Sequence, residues 1–152
     1  MASWLLRTFR NRSLGFMRFL YRTYLMPVTD YCSHLWSPTR YNEIETLEAI
    51  PRSWTRHCTH LWGMHFWDRI KALGISSVQR RHERYRIILC WKILEGLVPQ
   101  QGNIKSVRRP QKGRLVLEPT IKSSSKAKSL RESSFTIQAA KLFNSLPRSI
   151  RD

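Results

Sequence analysis

Prolines and glycines limit the regular structure this chain can form. Its seven prolines stand at positions 27, 38, 51, 99, 110, 119 and 147. Each lacks a backbone donor and disfavours helix in the residue before it. Between these stops the apolar residues recur at helical spacing. From Phe16 to Leu25, Met17, Leu20, Tyr21 and Tyr24 fall at i, i+3, i+4 and i+7, while Arg18 and Arg22 share another face. This predicts an amphipathic helix with a basic stripe, ended by Pro27, and then a short extended or turn segment from Asp30 to Pro38. A second helix is expected to begin near Thr39 to Asn42, with Ile44, Leu47, Ile50, Trp54, Cys58 and Leu61 on its apolar side. Glu43, Glu45 and Glu48 are expected on its outer side near the N-terminus, where the helix dipole favours acids. Pro51 lies inside that pattern and predicts either a kink or two helices meeting across residues 49–52. Arg52 and Arg56, four apart, share one side.

Gly63 and Gly74 bracket a short helical piece, Trp67 to Leu73, and Ser76 or Ser77 is placed to cap the longest helix, running to about Leu97 before Pro99. The unbroken run Ile87 to Trp91 is too wide for a one-sided helix and is expected at the centre of the core, with Trp36, Trp54 and Trp91 also inside. After Pro99 the chain becomes basic: residues 103–130 hold eight Lys or Arg against Glu118 alone. They read as a linker, with a brief strand at Arg114 to Leu117. A last amphipathic helix from about Ser133 to Asn144 carries Phe135, Ala139, Leu142 and Phe143 on one face, with Pro147 as its stop. The fold class is therefore mainly α. A small helical bundle over 1–99 is followed by a basic, largely extended linker over 100–130, and a C-terminal helix over 131–152 packs back on the core.

Charge narrows the class of partner. Lys and Arg number 27 against 10 Asp and Glu, a net charge of +17. Such a field attracts polyanions, and nucleic acid is the first expectation because phosphate neutralisation releases counterions without any base contact. An anionic membrane or an acidic protein surface would answer the same field. The plainer alternative is that many of these charges solvate helix faces. Three widely spaced cysteines, Cys32, Cys58 and Cys90, argue against a disulfide framework and for a reducing intracellular compartment, nuclear or cytoplasmic. No run of apolar residues reaches membrane-spanning length.

Ordered motifs along almost the whole chain point to a family. They are Trp4-Leu5-Leu6-Arg7-Thr8-Phe9; Pro27-x-x-Asp30-Tyr31-Cys32 with Leu35-Trp36-Ser37-Pro38; the acidic stretch Ile44 to Arg52; Trp67-x-Arg69-Ile70-Lys71-Ala72-Leu73-Gly74-Ile75; and Arg80-Arg81-x-Glu83-Arg84-Tyr85. Trp91-Lys92-Ile93-Leu94-Glu95-Gly96-Leu97-Val98-Pro99, Leu130-Arg131-Glu132-x-Ser134-Phe135 and Lys141-Leu142-Phe143-Asn144-Ser145-Leu146-Pro147 complete the set. In this order and spacing the chain resembles the part of non-LTR (LINE, jockey-like) retrotransposon reverse transcriptases that follows the palm. It departs at Pro51, where the family usually has Gln. The Arg-rich start, otherwise the composition of a transit peptide, is then family sequence.

The resemblance implies a helical thumb-like region over 1–99 that grips a template–primer duplex. It also implies that the polymerase's metal-binding carboxylates, an aromatic-x-Asp-Asp motif, belong to a palm this chain does not carry. No Asp-Asp pair occurs in the sequence, so two-metal phosphoryl transfer has no ligands here. Cys32, His34, His57, Cys58 and His60 are zinc-ligand types without zinc-site spacing. No catalytic residue, metal or cofactor is expected. Basic residues interleaved with aromatics suit a nucleic-acid surface. The candidate contacts are Arg18, Arg22, Arg52, Arg56, Arg80, Arg81 and Arg84, then Lys105, Arg108, Arg109, Lys112 and Arg114. The expected partner is RNA or an RNA–DNA duplex, with no small-molecule substrate and no membrane. A helical module docking on a protein, or a mobile-element relic without function, is the alternative.

Overall fold

The computed structural model describes residues 1–36, 38–99, 104–117 and 131–152. The fold is mainly α with one small two-stranded sheet. It divides into two compact units, Met1–Ser33 with Pro38–Arg81, and His34–Ser37 with His82–Asp152.

In the first unit, α1 (Ala2–Thr8) is followed by α2 (Leu14–Leu20). Where Pro27 was expected to stop that helix, the chain stays helical to Asp30. It passes through a π-helical turn, Tyr21–Leu25, into α3 (Met26–Asp30). Pro27 has no N–H and its ring crowds the carbonyl one turn back. Just before it, the Met26 N–H bonds the Tyr21 carbonyl, five residues back, and the widened turn lets the helix run past the proline. Of the expected extended or turn segment, Tyr31–Cys32 is a turn, with Cys32 at φ +50, but Ser33–Trp36 forms a short helix, α4. The expectation for Ser37 lies outside the described residues.

Helix α5 (Tyr41–Arg56) is one helix with Pro51 inside it. The proline is buried, and Trp54 one turn on is anchored by its indole N–H, which donates to the Met17 carbonyl at 3.1 Å. Tertiary packing thus offsets the roughly 3 kcal/mol that an interior proline costs a helix. Helix α6 (Phe66–Leu73) ends on Gly74 at φ +62, and the Ile75 N–H reaches back to the Ile70 carbonyl, a Schellman closure. Leu5, Met17, Leu20, Tyr21, Leu25, Trp54, Cys58, Leu61 and Leu73 form this unit's core.

Helix α7 (Val78–Leu94) has its first turn in the first unit. The Arg80 N–H donates to the Ser77 hydroxyl at 3.3 Å, as expected of a cap, and the Gln79 N–H donates to a Glu48 carboxylate oxygen at 2.9 Å. Glu48 was expected on the outer side of α5; it is buried, drawn inward to the free amides at the start of α7.

The second unit packs later residues of α7 with a hairpin of β1 (Ser106–Arg109) and β2 (Gly113–Val116), then α8 (Phe135–Ser145) and α9 (Arg148–Arg151). The strands are antiparallel, with Ser106 opposite Val116 and Arg109 opposite Gly113. The strand expected at 114–117 is present; its partner β1 carried no apolar alternation to announce it. Asn144 fastens the hairpin to α8, its side-chain amide accepting the Val116 N–H and donating to the Val116 carbonyl, both at 2.9 Å. Cys90, Ile93, Ile104, Val116, Ala139, Ala140 and Phe143 form the core. The run Ile87 to Trp91 is not its centre, because only Cys90 of the five is buried and Ile88 and Trp91 are 38% and 45% exposed. Trp36, expected inside, is 44% exposed and meets His82 edge-on; Trp54 is buried. Among the described residues no helix is long and apolar enough to cross a membrane.

Candidate nucleic-acid interface

The twelve cations named from the sequence divide into those the fold consumes and those it leaves in solvent. Arg81 is consumed. Its guanidinium grips Asp30 through Nε at 2.9 Å and Nη2 at 3.1 Å, with the Thr29 hydroxyl and the Tyr21 phenol as further acceptors. Both members of the ion pair are under 10% exposed. Burial works to lower the Arg81 pKa, but the hydrogen bonds to Asp30 and the neighbouring charges outweigh it, and the net shift is upward. Burial also raises the Tyr21 phenol, partly against the Arg81 charge. Arg81 is therefore a structural pin and not a phosphate contact.

Arg18 and Arg22, the basic stripe, meet the last carbonyls of α6. Arg18 donates to Leu73 and Ala72, and Arg22 donates to the Gly74 carbonyl at 2.9 Å. A cation at a helix C-terminus satisfies acceptors that have no intrahelical partner. Arg18 is half-buried by that role, whereas Arg22 stays exposed. Arg114 is likewise engaged, pairing with Glu95 and donating to the Leu94 carbonyl. Arg52 pairs with Glu45 at 3.1 Å and lies 5.1 Å over the Phe66 ring.

Arg56, Arg80, Arg84, Lys105, Arg108, Arg109 and Lys112 are exposed. Four of these belong to one hairpin: Lys105 precedes β1, Arg108 and Arg109 end it, and Lys112 sits in the turn. All four residues of β1 are exposed. Among the described residues an acid at the hairpin is Asp152, which accepts the Arg114 backbone N–H at 2.8 Å and the Arg148 guanidinium at 2.9 Å and lies 3.9 Å from Arg108. Hydrogen bonds from Arg148 and the Arg114 backbone hold its carboxyl below the usual range. Arg109, Lys105 and Lys112 have no acid at ion-pair distance among the described residues.

In the first unit Arg80 lies 6.0 Å over the Trp67 ring, and Arg52, Arg56 and Arg69 line one concavity with Phe66 and Trp67. Arg69 and Trp67 were not named as contacts from the sequence. The signal was present in the motif Trp67-x-Arg69, but its meaning depends on α6 packing beside α5, which no local spacing encodes. His57 and His60 are exposed while Cys58 is buried, with its thiol pushed up to about 11 by burial. Among the described residues no three of His, Cys, Asp and Glu gather as a metal-ligand set. A scan of protein-family models finds no match to the chain, and neither a curated protein nor a solved structure matches it.

Proposed function

We propose that this chain is a nucleic-acid-binding fragment of a non-LTR retrotransposon reverse transcriptase, the region after the palm, without polymerase chemistry of its own. It binds RNA or RNA–DNA duplex through phosphates and does not read sequence. The carrying observation is the basic hairpin, on which Lys105, Arg108, Arg109 and Lys112 stand exposed on an element fixed to α8 by Asn144. A two-stranded ribbon presents its cations at fixed spacing, so less side-chain and backbone freedom is lost on binding than from a flexible tail. The ordered sequence motifs and the +17 charge support the same reading.

The test is fluorescence anisotropy of the purified chain with a labelled RNA–DNA hybrid against a heparin competitor. Submicromolar binding that persists at excess heparin supports a shaped duplex surface. Complete displacement by heparin contradicts it, leaving a generic polycation.

A second reading is favoured by the exposed large side chains, Trp62 at 81%, Tyr31 at 76% and Trp4 at 60%. Apolar surface of this kind fits a protein partner. It predicts binding of the apolar dye ANS by the isolated chain, and a monodisperse monomer that ignores the dye contradicts it.

A further inference from the structure

Arg52 and Arg56 stand one turn apart on α5, and with the segment before and within α6 they line an open surface concavity of about 540 Å³. That is within the size range of small-molecule sites. Its lining includes Met64, Phe66, Trp67 and Arg69, and no carboxylate. Three guanidinium groups and two aromatic rings therefore border one space.

Arg69 is the informative member. It is 9% exposed, and its guanidinium is held by neutral acceptors, Nε donating to the Thr55 hydroxyl at 3.1 Å and Nη1 to the Met64 carbonyl at 2.8 Å. Among the described residues no carboxylate reaches it. A charge withdrawn from water without a counter-charge is costly. The contrast is internal to the protein, since Arg81, equally buried, has Asp30 at 2.9 Å. Arg56 beside it is exposed and has no ion-pair partner among the described residues. Trp67 is 52% exposed as a residue, its ring tilted against Phe66 at 5.1 Å between centroids with the Arg80 guanidinium 6.0 Å over it.

We infer that this concavity binds a nucleotide unit, the phosphate taken by Arg56 and Arg69 and the base by the Trp67 ring. Guanidinium forks match phosphate oxygens, and every base offers a face to an indole. An inorganic anion would use the arginines alone and leave the aromatic wall idle. The inference rests on the reading that the ligand is nucleic acid, and adds to it a site and a unit of recognition. The unit comes either from a single strand or from a free nucleotide; the chemistry is shared.

The experiment is anisotropy of a labelled short oligo(dA), and separately of an RNA–DNA hybrid, on the full chain and on Arg56→Ala, Trp67→Ala and the hairpin double variant Arg108→Ala/Arg109→Ala, each checked for folding by thermal melting. Trp67→Ala is expected to weaken oligo(dA) about tenfold or more while leaving the hybrid nearly unchanged, and Arg56→Ala to weaken oligo(dA) by a larger factor than it weakens the hybrid. The hairpin variant weakens the hybrid. Adenosine 5′-monophosphate displaces oligo(dA) more effectively than inorganic phosphate does; displacement at micromolar concentration assigns the site to free nucleotide, and a requirement for millimolar concentration assigns it to a strand. Pocket variants that bind oligo(dA) like the wild type, or phosphate competing as well as the nucleotide, overturn the inference and leave the duplex reading standing. A wild type that binds neither probe overturns both.

Discussion

Arg81 shows how a charge counted as surface in the sequence becomes a structural pin. Its neighbour Arg80 is exposed, and nothing in the dipeptide tells them apart; the difference is made by Asp30, 51 residues away. Removing one partner of a buried ion pair leaves the other uncompensated, so Arg81→Ala is expected to destabilise the fold by about 3 to 5 kcal/mol, read as a lower urea midpoint. A change under 1 kcal/mol, on the order of an exposed pair, would refute the role. The thiols give a second prediction at this scale. Burial pushes Cys58 and Cys90 to about 11, each from 9.0, while Cys32 is half-buried. In the native protein near pH 8 Ellman's reagent is expected to modify Cys32 and spare the other two, which react on unfolding. Because the folded thiols hold their protons more tightly than the unfolded ones, their contribution to stability is complete below about 9 and is lost as pH rises toward about 11. Thermal melts across that window are expected to fall with pH.

At the scale of elements, the helices carried by apolar periodicity over several turns were legible: α5, α6, α7 and α8 all begin within about two residues of where spacing and caps place them. What failed was the local reading of Pro27 as a stop: it sits within a helical segment because a π turn accommodates the missing amide. At Pro51, where a kink or two helices were the alternatives, the chain keeps one helix, its apolar face buried and anchored. Hairpin strand β1 was unreadable for a different reason: Ser-Val-Arg-Arg alternates nothing, and its register is set by β2 and by Asn144. The ends of α6 and α7 depend on partners from elsewhere in the chain. Ser77→Ala is expected to cost about 1 kcal/mol, and Glu48→Ala to add to it because both act on the first turn of α7. A double-variant loss well above the sum of the two single losses would show that each cap substitutes for the other. Gly74→Ala meets two obstacles, φ of +62 and a Cβ only 3.2 Å from the Arg18 guanidinium, and is expected to lower stability by about 1 kcal/mol or more in the same denaturation assay.

For the whole molecule, the excess of cations was plain in the composition, but which of them remain available for a ligand was not. Arg18, Arg81 and Arg114 are engaged by backbone and carboxylate acceptors of their own chain, whereas the hairpin presents its cations to solvent. Part of a basic stretch that reads as a linker thus supplies a hairpin with four exposed cations, and the pocket beside α5 and α6 was visible only once those helices were packed. The salt dependence of hybrid binding tests this division most directly. The account predicts that Arg108→Ala/Arg109→Ala makes the slope of log K against log salt shallower by about two units, equally for every sequence of the hybrid. An unchanged slope would contradict the assignment of the hairpin as the phosphate-binding element.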